Sequence, residues 1–427
     1  LIFSQQRAED AVRMLNRHLS SRVRDAAADT PVVFLQGARQ TGKSTLLKAL
    51  LEEQGGPRYV TLDDPSMAAS ARADPVGFLA GLGGRAAIDE VQACPELFGA
   101  IKLDVDRNRT PGRYLLSGSA NALVVPELAR ALTGRVELLT LRGFSQGEIA
   151  GVREDFVDWI FSGQPPTDEL EGVRNLPARI TTGGFPEIVA RRGAERRAAW
   201  FDSYVATLLQ RDVRDLAQIE GLGQLPDLIR LCAARSGSLM NHAEFSRTLG
   251  LPQTTLKRYF TLLEAVFLVQ RVPAWSANLG KRLVRTPKLY LLDTGLACHL
   301  QGFTAESWED ANTRRGPLLE NFVFSELDKQ LGWARTRATL HHYRSHGGDE
   351  VDFLLEDARG RIAAIEVKAS ASVSTSDVAP IRKLSAELGE RFVRGVVLYA
   401  GREVVPFARN VHALPLSALW TAMLNRR

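Results

Sequence analysis

The segment Gly37-Ala38-Arg39-Gln40-Thr41-Gly42-Lys43-Ser44 constrains this chain more than any other stretch. It fits the pattern G-x4-G-K-[ST]. An apolar run, Val32-Val33-Phe34-Leu35, precedes it, and residues of helical character follow from about Lys43. That helix is expected to stop at Gly55-Gly56, because glycine tolerates the left-handed conformation that ends helices. Strand, glycine loop and helix in this order make a phosphate cradle. The glycines let successive backbone N–H groups wrap an anion, and the helix N-terminus adds its positive dipole end. Gly37 through Thr45 then surround nucleotide phosphates, with Lys43 reaching the outer ones and the Ser44 hydroxyl ligating magnesium. ATP with Mg2+ is the expected ligand pair.

The residues around the motif predict an α/β fold. Short apolar runs at Val32–Leu35, Tyr59–Leu62, Ala86–Ile88, Tyr114–Leu116 and Val136–Leu141 alternate with helical stretches. This alternation predicts a parallel sheet covered by helices on both faces. Upstream, Val12, Leu15 and Leu19 fall at helical spacing, and Pro31 closes that helix. Ala86-Ala87-Ile88-Asp89-Glu90 is a strand ending in two acids. Asp89 is placed to hold magnesium through water, and Glu90 to polarise the attacking water as a general base. Leu115-Leu116-Ser117-Gly118-Ser119 is a further strand with a polar exit, so Ser117 or Ser119 is a candidate sensor of the terminal phosphate. Arg130 and Arg135 are candidates to neutralise transition-state charge, in cis or across a subunit interface. Arg135 is favoured because Gly134 lets the chain approach a ligand.

Composition sets outer limits. The chain has 427 residues, 45% hydrophobic and 24% charged, which at about 150 residues per domain suggests about three domains with sizeable cores. No apolar run approaches the roughly 18 residues that a membrane span needs, so a membrane partner is not expected. Lys plus Arg is 54 against 49 Asp plus Glu, a net charge of +5. That excess permits a nucleic-acid partner without implying one. Cys94, Cys232 and Cys298 stand far apart; three isolated thiols fit a reducing, cytoplasmic setting and form no zinc ribbon.

Residues 31–141 resemble an AAA-type ATPase module, the one fused to a DUF4143 C-terminal region in prokaryotic ATPases. The stretches that carry the resemblance are GARQTGKSTLL, AAIDEVQ, LLSGSA and LTGRVELLTLRGFSQGEI. Gly183-Gly184-Phe185-Pro186-Glu187 and Gln210-Arg211-Asp212-Val213-Arg214-Asp215-Leu216 fit the same family, so the resemblance spans nearly the whole chain. It implies ATP binding and this architecture more firmly than a biological role. AAA-type modules often form rings, so a homo-oligomer is among the expectations.

Asn241–Leu249 and Gln253–Val269 read as two helices joined by the turn Gly250-Leu251-Pro252. The second keeps Leu256, Phe260, Leu263 and Phe267 on one stripe and presents Thr254, Thr255, Lys257, Arg258 and Thr261 away from it. A basic stretch with Arg271, Lys281, Arg282, Arg285 and Lys288 follows, and the whole resembles a winged helix. Such residues suit contacts to DNA phosphates. They suit equally a lid or a protein contact.

Further on, Gly348-Asp349-Glu350-Val351-Asp352-Phe353-Leu354-Leu355 and Arg361-Ile362-Ala363-Ala364-Ile365-Glu366-Val367-Lys368 read as two strands of a hairpin. A loop Ala358-Arg359-Gly360 places Asp352 opposite Glu366. Lys368, two residues on, shares that face. Neighbouring carboxylates repel unless a cation bridges them, so Asp352, Glu366 and the helical acid Glu320 are candidate ligands of magnesium or manganese. Lys368 then orients water or stabilises developing charge. This D…E-x-K arrangement resembles the restriction-endonuclease-like superfamily. His341, His342 and His346 precede it, but alternation sends the first two to opposite faces, which argues against zinc.

The expected organisation is thus a P-loop ATPase domain with an N-terminal helix (1–144), a helical region (145–235), a winged-helix-like unit (236–300) and a restriction-endonuclease-like α/β domain (301–427). Two functions stay open. One is an ATP-hydrolysing protein acting on DNA, with a nuclease or DNA-binding C-terminal domain. The other is a nucleotide-dependent switch whose C-terminal domain is a non-cleaving protein-interaction module.

Overall fold

The computed structural model describes residues 15–53, 58–119, 121, 126–166, 170–210, 222–278, 286–308, 310, 312–345 and 347–424. Val12, Gly55-Gly56, Arg211–Leu216, Lys281, Arg282, Arg285 and His346 lie outside the described residues.

The N-terminal part is built around the run Val32–Gln36 (β1), which is buried along its whole length. Full burial is what a central parallel strand requires, since both faces are covered. Helix α1 (Ser20–Asp29) leads into β1, and α2 (Lys43–Glu53) leaves the glycine loop after it. Then come β2 (Arg58–Thr61), β3 (Ala86–Asp89), α3 (Glu96–Arg107), β4 (Tyr114–Gly118) and β5 (Val136–Thr140). The five strands pair in the order β2-β3-β4-β1-β5, all parallel. Alternate residues of β1 sort to opposite faces. Val32 and Phe34 pack with Leu97, Phe98 and Ile101 of α3, whereas Val33 and Leu35 pack with Leu46, Leu47 and Leu50 of α2 and Val23 of α1. This is the two-sided helical cover that the alternation predicts.

The next residues split between two cores. Phe156, Trp159, Ile160, Leu176 and Ile180 join the C-terminal core, while Phe185 and Ile188 join the middle one. The stretch expected as one helical region therefore serves two bodies. The middle core is completed by α4 (Ala194–Leu208), α5 (Leu225–Ala234), α6 (His242–Leu249), α7 (Gln253–Ala265) and the antiparallel pair β6 (Val269–Val272) and β7 (Lys288–Leu291). The Asn241 side chain caps α6 by accepting from the Ala243 and Glu244 N–H groups. Gly250 ends it at φ 65°.

The C-terminal part opens with the long helix α8 (Asn312–Leu331), followed by β8 (Ala338–Arg344), β9 (Glu350–Asp357), β10 (Ile362–Lys368), α9 (Thr375–Leu388), β11 (Phe392–Tyr399), β12 (Val405–Ala408) and β13 (Val411–Pro415). The sheet order is β12-β13-β11-β10-β9-β8. β10, β11 and β13 run parallel to one another, and the remaining pairs are antiparallel. The β6–β7 hairpin sits on this body. Trp275 N–H donates to the His342 carbonyl at 2.7 Å, His342 N–H donates to the Pro273 carbonyl at 3.0 Å, and Ala274 bridges His342. Among the described residues, no helix is long and apolar enough to cross a membrane.

Candidate functional site

Parallel pairing aligns the carboxyl ends of three strands at one edge of the first sheet. Leu35 lies level with Ser117, and Ile88 with Leu116, so the phosphate loop, Asp89 and Ser117 share that edge. Ligands of open α/β sheets bind there. Gly37 has no room for a side chain: a Cβ would stand 2.2 Å from the Leu141 carbonyl oxygen. Gly42 adopts φ 90°, a conformation that only glycine takes freely. Lys43 is buried, and its ammonium donates to the carbonyls of Gly37 (3.0 Å) and Ala38 (2.9 Å). Thr41 Oγ1 donates to the Ala38 carbonyl at 2.9 Å, and Arg17 to the Thr41 carbonyl at 3.1 Å. Tyr204 of α4 reaches the Arg39 carbonyl at 3.4 Å, so the middle body touches the loop directly. Gln40 takes a left-handed φ of 64° within the turn.

Beside the loop, a cavity of about 450 Å3 is lined by Leu15, Gly42, Thr45, Phe144, Pro186 and Val189. Leu15 precedes the first sheet, while Pro186 and Val189 belong to the middle body, so the cavity is closed from two sides. It is mostly apolar and adjoins the phosphate cradle at Thr45.

Asp89 is buried at the end of β3. Its carboxylate accepts from the Ser117 hydroxyl and from Tyr59 OH at 2.7 Å, and Tyr59 also meets Ser44. Burial, then the bond to Asp89, raises the Tyr59 phenol above its usual range, so it stays a donor. Ser117 is fully buried and bonded to Asp89. Glu90 takes a left-handed backbone, φ 54° and ψ 43°, and accepts from the carboxamide of Gln92. Gln92 also donates to Ser119 Oγ at 3.1 Å. It lies over Gly118, where a Cβ would stand 2.7 Å from its side-chain oxygen. Sequence reasoning missed Gln92; its place two residues after Glu90 was the available signal.

Arg135 is not brought to this edge. It immediately precedes β5, level with the start of β1, and pairs with Asp106 at 2.6 Å. That places it about 16 Å of strand away from the loop, at roughly 3.3 Å per residue. It lines a separate groove of about 930 Å3 along the edge strand β5. A role for Arg135 within its own subunit is thus corrected by the parallel topology. Arg130 is exposed on the helix Pro126–Leu132.

In the second sheet, Ile362 pairs with Glu356 and Ile365 with Phe353, which sets Glu366 beside Asp352 as the loop length predicts. Gly360 turns the hairpin at φ 74°. Lys368 Nζ meets Glu366 Oε1 at 2.8 Å, and Glu366 Oε2 accepts from the Asp352 N–H at 3.4 Å. Asp352 Oδ2 accepts from the Val367 N–H at 2.9 Å. The acids come together, but a lysine stands among them. Lys288 of β7 is 3% exposed. Its ammonium lies 2.7 Å from Glu350, 2.9 Å from Glu320 and 3.5 Å from Asp352. Tyr290 OH donates to Glu320 Oε1 at 2.5 Å.

Burial, then the charge of Asp352, pushes Glu320 and Glu366 up to about 7. Burial also raises Asp352. Burial alone pulls Lys288 down, but Glu320, Asp352 and Glu350 more than offset it and hold the ammonium above its usual value. Among the described residues, no three His, Cys, Asp or Glu side chains are grouped to hold a metal ion. The place between these carboxylates is taken by the ammonium groups of Lys288 and Lys368. The expectation that Glu320, Asp352 and Glu366 form a magnesium or manganese site is therefore corrected: a metal does not fit this arrangement.

Of the expected basic stretch, only Arg271 and Lys288 are among the described residues. Lys288 points into the acid cluster, and Arg271 pairs with Glu264 at 2.6 Å. Lys288 is a charged residue in an otherwise apolar strand, and such a residue needs a partner; that was its signal. His341 and His342 are both buried, and His342 Nε2 meets the Thr286 carbonyl at 3.0 Å. On α7, Thr254, Lys257, Arg258 and Thr261 are exposed.

Comparison with known proteins divides the chain in three. Residues 29–150 match the AAA domain, 173–307 a domain of unknown function (DUF8612), and 315–419 a domain of unknown function (DUF4143). The Mycobacterium tuberculosis "Uncharacterized protein Rv2008c" and the Mycobacterium bovis "Uncharacterized protein Mb2031c" are each 31% identical over 406 residues, covering 95% of this chain and 84% of theirs. Among solved structures, the Walker-type ATPase PABY2304 of Pyrococcus abyssi is similar over 67% of this chain and 96% of its own, at 15% identity and a TM-score of 0.42.

Proposed function

This chain belongs to the family of the mycobacterial proteins Rv2008c and Mb2031c, and on that premise we propose that it is an ATPase whose nucleotide state is passed to its helix–turn–helix unit. The carrying observation is the alignment of the phosphate loop, Asp89 and the Gln92-held Glu90 along one sheet edge.

In the derived mechanism, the purine fills the apolar cavity between Leu15 and Pro186. Lys43 leaves the carbonyls of Gly37 and Ala38 and donates to the outer phosphates. Ser44 and Asp89 offer hard oxygens beside the cradle, a donor set that suits Mg2+. When bound, the ion neutralises charge on the phosphate oxygens. Tyr59 and Ser117 hold the Asp89 carboxylate in place. Glu90 takes the proton of the attacking water, and Gln92 fixes the direction of its carboxylate.

The same edge offers a path outward. The Asn121 N–H donates to the Ala265 carbonyl at 2.8 Å, which ties the exit of β4 to the end of α7. Hydrolysis that shifts this exit also shifts α7.

DNA is the partner we propose for the exposed polar face of α7, on the chemistry of Thr254, Lys257, Arg258 and Thr261. The Asp352–Glu366–Lys368 hairpin within a mixed sheet supports reading the C-terminal body as restriction-endonuclease-like. Lys288 among its acids favours a form that does not cleave.

The test is ATP turnover, with and without duplex DNA, for the intact chain and the Lys43→Ala and Glu90→Gln variants. Turnover is expected in the intact chain, with loss of nucleotide binding in Lys43→Ala and loss of hydrolysis alone in Glu90→Gln. Equal turnover in all three would sink the ATPase reading. An unchanged rate with DNA would leave a switch with protein partners as the better account.

A further inference from the structure

The C-terminal carboxylates raise a question of charge balance. Glu320, Glu350, Asp352 and Glu366 meet two ammonium groups, Lys288 and Lys368. Lys368 belongs to the same strand as Glu366. Lys288 comes from another body, on β7, and stands where Glu320, Glu350 and Asp352 converge. An ammonium has three N–H donors, and here three carboxylates surround it. We propose that Lys288 is the built-in cation of this cluster, standing in the place of a divalent metal and fastening the β6–β7 hairpin to the C-terminal body. The proposal deepens the non-cleaving reading given above and is independent of the ATPase assignment.

Three observations carry it. The lysine side chain is 4% exposed, and an ammonium is buried at this cost only when paired. Its neighbour Tyr290 donates to the same Glu320 oxygen, so β7 delivers two donors to one acid. The strand is also held independently, because the Asn321 side chain of α8 bonds both the N–H and the carbonyl of Leu291. The ammonium therefore does not wander into the cluster on a loose arm. A metal at this point needs Lys288 withdrawn, since two cations so close repel.

The experiment titrates Mn2+ into nucleotide-free protein and reads free ion by electron paramagnetic resonance. Subtracting the Asp352→Asn variant isolates binding at this cluster. The intact chain and Lys288→Arg are expected to show no Asp352-dependent binding below about 1 mM. Lys288→Met removes the charge at similar volume, and it is expected to gain one Mn2+ per chain, at least about tenfold tighter, that vanishes when Asp352→Asn is added. Asp352-dependent binding by the intact chain overturns the proposal, and so does a folded Lys288→Met that takes up no ion. Should Lys288→Met not fold, amine acylation of the intact chain decides. Lys288 is expected to react at least about tenfold more slowly than the more accessible Lys102, and equal labelling overturns the proposal. ATP turnover enters none of these readings, so a failure here is distinct from a failure of the ATPase assignment.

Discussion

Single side chains decide how each site works. Glu90 holds a left-handed backbone that costs an ordinary residue about 1–2 kcal/mol, and such strain persists only when the surroundings enforce it. Gln92 bonds the Glu90 carboxylate on one side and Ser119 on the other, which fixes where that carboxylate points. Gln92→Ala is expected to lower kcat about 10- to 100-fold while leaving KM for ATP within about twofold, because it misdirects a base without touching the cradle. Steady-state kinetics checks the split.

At the other cluster, Glu320 and Glu366 titrate near 7, raised by burial and then by Asp352, with Lys288, Tyr290, Glu350, Lys368 and Asp377 around them. Below their ordinary value of 4.5 both are protonated whether the chain is folded or not. Between there and about 7 the unfolded chain sheds protons that the folded one keeps, so stability is lost as pH rises through about 7. Burial pulls His342 down to about 4, which works the opposite way: its share is present above 6.5 and lost as pH falls through about 4. Two carboxyls outweigh one imidazole between pH 6 and 8. Urea unfolding is expected to show a net loss on the order of 1–2 kcal/mol across that interval, flattened in Glu366→Gln.

The two clusters were not equally legible. Lys43, Ser44, Asp89 and Glu90 lie in contiguous motifs whose spacing carries their chemistry. Lys288 stands 32 residues from Glu320 and 64 from Asp352, and only tertiary packing introduces them.

Elements were legible where local rules fix them. The hairpin of β9 and β10 is closed by Asp357, which accepts from the N–H groups of Arg359 and Arg361 at 3.0 and 2.9 Å. With Gly360 at φ 74°, this turn admits one register, and that register puts Asp352 beside Glu366. Gly360→Ala is expected to cost roughly 1 kcal/mol through that φ alone, read as a lower urea midpoint with an unchanged slope. The acid pair should survive it, because seven neighbouring backbone pairs hold β10 to β11.

The β6–β7 hairpin was not legible in its use. Alternation identifies a strand, yet it does not reveal that Pro273, Ala274 and Trp275 pair with His342 of another body. The split of residues 156–180 from 185–208 was hidden for the same reason. Helical spacing marks an apolar face without naming the core that receives it.

On the scale of the molecule, the first two matched regions meet at one point. Gly143 and Phe144 follow the first sheet, Gly183 and Gly184 open the middle body, and Asp293 follows β7. Phe144 N–H donates to the Gly184 carbonyl at 2.6 Å, and Gly184 N–H donates to Asp293 at 2.7 Å. Phe144 and Gly184 touch backbone to backbone. A Cβ on Gly184 would stand 2.4 Å from the Phe144 carbonyl oxygen, and backbone cannot swing aside as a flexible side chain does. Gly184→Ala must therefore separate the first sheet from the middle body. The consequence extends to nucleotide binding, because Phe144, Pro186 and Val189 line the apolar cavity from the two sides of this contact. The variant is expected to lose on the order of 2–4 kcal/mol of stability and to bind ATP about tenfold more weakly, with hydrolysis of bound nucleotide nearly unchanged. Calorimetric unfolding measures the first, and nucleotide titration with single turnover separates the second from the third. Gly250→Ala offers the comparison, since it replaces a glycine at φ 65° that has open space around its Cβ, so it strains the backbone without a collision. A similar loss of ATP affinity in both variants would mean that the junction carries no coupling beyond general stability.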